Sequence, residues 1–452
     1  MPALRLGDPN AITEWQELMG QGNSRHQLHK EILEDLEKIG VLIDTESVTS
    51  ATFMAKSFTA YIMRTLVGRG DPSDQPEAVS ISVFAAGRSR MRTVFRGRGA
   101  RVLSADKRLL QRDKDRFLEH YHRFLDHRLR RASEVETEQP AGQGGAQELV
   151  FENAEQISNF ILSQFTSLDI KRYLQNAPRR STVLFIVDEA HTDMPWELML
   201  EATYAGEIPF RVGRTVVSKL APQCVRPPLR GIRRIRPLLI GNPSGDLEAA
   251  AEEVQELAKI FAERPTLFEA PEVLTTEEQC HSVRLLSALS SGQYDLVHYA
   301  GHARHMGSDS AWQASDGEIT TDRLTNALEM APPALAFVSA CESAEGAAGG
   351  LGQYEGQSFD LPGAFLQAGV EVYIGALWRV DSANSCDFAR AFYGEFVRGE
   401  HELGECMRRA KWERKKVEEG GLDWLSFVLY GDPRLTPGDL FPVMADAEQE
   451  PS

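Results

Sequence analysis

YDLVHYAGH at residues 294–302 and LAFVSAC at residues 335–341 decide the fold of this chain. Each is a short, largely apolar run with the length and composition of a β-strand buried on both faces. Each leads to a side chain capable of chemistry: His302, placed after Gly301 just beyond its strand, and Cys341. In open parallel sheets, reactive groups gather past the carboxyl ends of the strands. Adjacent strands lie about 4.8 Å apart, so a histidine and a cysteine at the same ends of two strands can converge on one cleft. A thiol nucleophile and its general base require that arrangement.

The same rhythm continues outward. VLFIV at 183–187, PLLIG at 237–241 and VEVYIGAL at 370–377 are further apolar strands. Helical patterns fall between and after them, at 247–261, 275–289, 359–368, 383–397 and 402–418. Alternating strands and helices predict an α/β domain over 148–440, with a mainly parallel sheet sandwiched by helices.

Residues 1–131 read as a separate, mostly helical region. Trp15, Leu18 and Met19 begin one apolar stripe, and Ile32, Leu33, Leu36, Ile39 and Leu42 form another at helical spacing. A helix over 53–67 stops at GRGDP, while VSISVF at 79–84 alternates as a strand does. Lys107–Arg131 is a charged helix with Phe117, Tyr121, Phe124 and Leu125 near one side. ASEVETEQPAGQGGAQ at 132–147 has a linker's composition, and 441–452 is an acidic tail.

The chain of 452 residues carries a net charge of -17, which disfavours nucleic-acid binding by the whole protein. Yet residues 88–131 hold 15 Lys and Arg against 5 Asp and Glu, a local charge of +10. Such a segment is a basic docking surface or packs on an acidic partner domain, with nucleic-acid contact the alternative. No apolar run is long enough to span a membrane, and residues 1–15 do not read as a secretory signal. The five cysteines (224, 280, 341, 386 and 406) are odd in number and include no CxxC pair. They predict a reducing, cytoplasmic setting rather than a disulfide framework or zinc ribbon. The glycine-rich GGLG at 349–352 does not join a strand to a helix as a phosphate-binding turn does, and no cofactor is expected.

The roles follow from the residue types. Cys341 attacks an acyl carbon as thiolate, while His302 assists its deprotonation and protonates the leaving group. The backbone N–H groups of Cys341 and Ala303 are candidates to hold the oxyanion. His298 lies inside its strand and supports the core or the dyad, and His305 falls in a polar loop. The other cysteines carry no spacing signal. Trp196 reads as a core anchor, and Asp381 as the cap of the helix that begins at Ser382.

HYAGHA (298–303), SACESAEG (339–346), LPGAFLQAGVEVYIGALWRVD (361–381), FVLYGDP (427–433) and DMPWELM (193–199) together resemble the signature segments of the CHAT family. They span about two thirds of the chain, in the family's order. The resemblance implies a caspase-like fold and a cysteine endopeptidase with protein substrates and His302 and Cys341 as its dyad. It also implies a role in prokaryotic defence, antiviral defence among others, or regulated cell death, with an activating protein or signal received through the N-terminal region. In related arginine-specific peptidases an acidic residue near position 381 lines the pocket for the side chain before the cut, so Asp381 is either a substrate-binding residue or a cap. Two other readings stand beside the enzyme: a caspase-like pseudoenzyme that scaffolds an assembly, and a sensor triggered by nucleic acid through 88–131.

Overall fold

The computed structural model describes residues 78–86, 90–97, 102–108, 111–134, 150–177, 179–202, 208–217, 234–306, 309–342, 360–378, 380–417 and 421–447. The chain divides into two compact units, 77–216 with 222–452 and 1–76 with 217–221; all described residues but Val217 lie in the first. The helices expected before residue 68, the linker from residue 135, Cys224, Gly349–Gly352 and the end of the acidic tail lie outside the described residues.

Among the described residues, thirteen strands form one sheet. In chain order they are β1 (Ala78–Ala85), β2 (Arg90–Arg96), β3 (Val102–Arg108), β4 (Ser181–Asp188), β5 (Phe210–Val217), β6 (Pro237–Gly241), β7 (Glu272–Leu274), β8 (Leu296–Met306), β9 (Asp309–Ala314), β10 (Gly317–Thr320), β11 (Leu335–Glu342), β12 (Val372–Ala376) and β13 (Phe427–Tyr430). The central run β7–β6–β8–β11–β12 is parallel throughout. β13 adds antiparallel to β12, and β5 adds parallel to β13. β4 and β1 follow, themselves parallel, and β2 and β3 close that end as antiparallel strands. At the other end β9 and β10 form a hairpin on β8.

Among the described residues nine main helices flank the sheet: α1 (Gln111–Glu134), α2 (Ala154–Gln164), α3 (Leu168–Asn176), α4 (Glu248–Ala262), α5 (Ser282–Ser290), α6 (Thr321–Leu328), α7 (Asp360–Gln367), α8 (Ser382–Phe396) and α9 (Leu403–Val417). Strand alternation sorts the central strands between two cores. Leu239, Ala300, Phe337 and Ile374 pack with Val254 and Phe261 of α4, Phe388 and Phe392 of α8, and Met407 of α9. Leu238, Tyr299, Val338 and Tyr373 pack with Leu285 of α5, Leu324 of α6 and Phe365 of α7. The expected α/β sandwich is therefore present, with helix boundaries within a few residues of those read from periodicity except at α5. That helix begins at Ser282 because residues 272–274 pair as β7 and the chain turns before re-entering a helix.

The N-terminal part differs from expectation. Of the region 1–131 read as separate and mostly helical, the described residues carry three strands as well as a helix and share the sheet: β1 pairs with β4, residue by residue from Ala78↔Thr182 to Val83↔Val187. Phe117, Tyr121 and Phe124 of the basic helix α1 lie in one core with Ile81, Phe95, Phe185 and Trp196. Only β1 was legible as a strand; the arginines that alternate with apolar residues in β2 and the charge of β3 mask the same period.

Trp196 is an anchor of that core, its indole N–H donating to the His191 carbonyl at 2.9 Å. Next to it Glu197 forms a buried ion pair with Arg214 of β5, whose Nε lies 2.8 Å from the carboxylate. The same guanidinium donates to the carbonyls of Thr192 at 2.6 Å and Met194 at 2.9 Å. DMPWELM thus closes around one cation.

Candidate active site

β8 has two neighbours in succession along one edge. Its first half pairs with β6 as far as Gly241↔Ala300, and Asn242 donates one more backbone bond to Ala300, at 2.9 Å. From Ala303 onward the same edge pairs with β9. The chain therefore leaves β6 opposite Ala300 and passes His302 in the loop 242–247. Asn242 opens that loop with φ 51°, in the left-handed region that asparagine tolerates. Its side-chain oxygen accepts from the N–H of Leu247 at 2.7 Å and closes the loop.

Gly301 is not a turn residue, because β8 continues through it to Met306. A Cβ there would stand 2.8 Å from both Pro243 Cδ and the Tyr299 hydroxyl. The glycine lets the 242–247 loop lie directly on the strand. Tyr299, stacked on Trp312 with ring centroids 4.1 Å apart, directs its hydroxyl at the carbonyls of His302 (2.7 Å) and Gln313 (2.9 Å). The backbone at His302 is thereby held from below.

β8 and β11 pair in parallel from Leu296↔Leu335 to Ala303↔Glu342, and the register sets His302 directly opposite Cys341. The two residues picked from the strand ends are immediate neighbours across the ladder, about 4.8 Å apart in the direction of the hydrogen bonds. On the opposite side of His302, Asp246 places Oδ2 3.3 Å from Nε2. The Ser244 hydroxyl donates to the other oxygen of Asp246. Ser244 and the neighbouring His302 hold the Asp246 carboxyl below the usual carboxylate range. Asp246 was not singled out in the sequence, although NPSGD follows PLLIG at the end of a strand, the position that marked His302 and Cys341.

The remaining candidates fall as follows. Ala303 sits within the sheet, opposite Trp312 on one side and Glu342 on the other. A strand N–H points at one neighbour or the other, so the ladder competes for this donor. His305 pairs with Ser310 in the β8–β9 ladder rather than lying in a loop. His298 is fully buried against Glu253. Asp381 is the N-cap of α8 and accepts from the N–H groups of Ala383 (2.9 Å) and Asn384 (3.4 Å). Asp387 pairs with Arg414 at 2.6 Å. Asp423 accepts from Asn384 at 2.7 Å, and burial raises its carboxyl above the usual range. Burial pushes the thiols of Cys280 and Cys386 up to about 11, and it also raises that of Cys406. Such thiols are poor nucleophiles.

A helix-covered, mainly parallel sheet that sets a histidine and a cysteine side by side defines the caspase-like class of α/β protein. Residues 151–432 match the family model described as the CHAT domain, and the chain belongs to that family. Solved structures similar to it include the Arg-specific cysteine proteinase gingipain R, at 14% identity over 62% of this chain and 70% of that one, with a TM-score of 0.44. The separase–securin complex of Saccharomyces cerevisiae matches at 12% identity over 85% of this chain but 31% of that one, with a TM-score of 0.45. A complex of the pro- and mature domains of RgpB from Porphyromonas gingivalis matches at 14% identity over 72% of this chain and 77% of that one, with a TM-score of 0.43. None of the curated proteins matches the chain by sequence.

Proposed function

We propose that this chain is a cysteine endopeptidase that works through His302 and Cys341, with Asp246 orienting the histidine. The observation that carries the reading is the Cys341↔His302 register, with Asp246 on the far side of the imidazole. With Asp246 accepting from Nε2–H, Nδ1 is the nitrogen left to take the Cys341 proton. The thiolate adds to the scissile carbonyl, and the N–H of Cys341 receives the developing oxyanion. Ala303 joins it if its ladder bond opens on substrate binding. The proton on Nδ1 then passes to the leaving amine, and a water deprotonated by His302 cleaves the thioester. Digestion of an unbiased peptide library by the full chain tests the reading; a chain that cleaves nothing under any trigger, with Cys341 unreactive to thiol-directed peptide probes, overturns it. The trigger, a protein or another signal, would act through the N-terminal residues. A cytoplasmic role in defence or regulated cell death accompanies the same proposal.

Asp246→Asn is expected to lower kcat/KM about tenfold, less than the ~10⁴ lost with a buried triad aspartate, because Asp246 is exposed. Unchanged kinetics would remove Asp246 from the mechanism.

Asp381 is assigned a second task, lining the pocket for a basic side chain before the cut, beside its capping. Asn caps a helix as well as Asp does, so Asp381→Asn removes the charge and keeps the cap. Turnover of Arg-containing peptides should fall several-fold with the melting temperature unchanged. Equal cleavage of Arg and Leu peptides by the wild type would leave Asp381 as a cap alone.

A further inference from the structure

Beneath the paired positions 302 and 341 lies a closed polar network that the reaction does not use. Glu253, from the middle of α4, is 2% exposed, and its carboxylate faces the two strands of the dyad. One oxygen lies 2.9 Å from Nε2 of His298, on β8. The other accepts from the Ser339 hydroxyl at 3.2 Å, on β11. Ser339 is also hydrogen-bonded to Ser385 of α8, and the Tyr393 hydroxyl, from the same helix, lies 3.4 Å from Nδ1 of His298. The His298 ring packs against Phe337, with centroids 5.0 Å apart.

The placement is systematic. Strand alternation puts His298 two same-face steps before His302, and Ser339 one same-face step before Cys341. A buried carboxylate is costly unless its lone pairs are satisfied, and here both oxygens are, one by each dyad strand. The helix that carries Glu253 also begins directly after the loop that carries Asp246. One helix therefore contacts the base's strand and the nucleophile's strand, and follows directly on the loop that carries the base's orienting carboxylate.

We propose that Glu253 is a positioning residue for the dyad: by tying His298 to Ser339 it fixes the lateral spacing of His302 and Cys341. The proposal rests on the peptidase reading for its purpose but not for its test. The decisive variants are Ser339→Ala, which cuts one tie and leaves the carboxylate bonded to His298, and Glu253→Ala, which cuts both. Glu253→Gln is the conservative rescue, since its amide oxygen can accept from His298 while its amide N–H meets Ser339. The readout is the rate of alkylation of Cys341 by iodoacetamide as a function of pH, followed by mass spectrometry of the Cys341 peptide in the full chain. A thiol held beside its base reacts as thiolate below the pH of an ordinary cysteine. Displacing reacting groups by about 1 Å costs up to about a hundredfold, so Ser339→Ala should slow alkylation at neutral pH about tenfold and move its profile toward that of a free thiol. Glu253→Ala should do the same more strongly, and Glu253→Gln should restore most of the rate. If peptides are cleaved, kcat should follow this order with KM little changed. A Ser339→Ala profile that superimposes on wild type overturns the proposal, as does a Glu253→Gln variant no better than Glu253→Ala. A wild type that cleaves no peptide but shows the alkylation pattern removes the peptidase reading and keeps the positioning role.

Discussion

Cys341→Ala and His302→Ala are each expected to reduce peptide hydrolysis at least about a hundredfold, because general acid–base help alone is worth roughly 10²–10⁴ and the nucleophile has no substitute. The two losses should not add. In the proposed mechanism both residues serve one chemical step, so the double variant should be no slower than the worse single one. Two alternatives are built into the comparison. His305 pairs in the β8–β9 ladder and Cys386 has its thiol pushed up by burial, so His305→Ala and Cys386→Ala should be mild. Melting curves of the dyad variants should match wild type, since His302 is partly exposed and alanine adopts extended backbone without strain. If His302→Ala kept more than about a tenth of wild-type turnover, the base would have to be sought elsewhere.

The largest expected effect on stability lies away from the dyad, at Glu197 and Arg214. Both side chains are essentially inaccessible, and the guanidinium satisfies the Glu197 carboxylate together with the carbonyls of Thr192 and Met194. Arg214→Ala strands a buried carboxylate and two buried carbonyls at once. Breaking such a pair costs about 3–5 kcal/mol, a large share of a domain's stability. The urea midpoint should fall accordingly. Replacing both partners with apolar residues of similar volume should cost less than Arg214→Ala alone, because no charge is left unpaired. An Arg214→Ala midpoint within a few tenths molar of wild type would show that solvent reaches the pair.

The pairing of His302 with Cys341 and the parallel core were legible for one reason: an apolar strand of five to eight residues that leads to a reactive side chain is a pattern of local sequence. Asp246 follows a strand of the same kind, but NPSGD reads equally well as an ordinary turn. What brings it to His302 is the change of partner along β8, from β6 to β9, which no local signal encodes. The β9–β10 hairpin was missed although its turn carries Asp316-Gly317, with φ 140° at the glycine. The role of Gly301 was not legible. Its sequence shows a residue without a side chain, whereas Pro243, the atom group that needs the space, is remote in the chain. Residues 1–131 read as a region apart because their patterns are mainly helical and 132–147 has a linker's composition. The apolar stripe of α1 had a partner only in a core assembled from strands far along the chain.

That shared sheet bears on how such a protein can be inherited. The span matched to the family begins at residue 151, yet three strands that precede it are hydrogen-bonded in plane with the rest. They extend the sheet rather than append a lobe to it, and β1 covers an edge of β4 that would otherwise invite pairing with other chains. A recombination event that exchanged everything ahead of residue 151 would tear that seam. Residues 78–134 are thus bound to descend with the strands they seal.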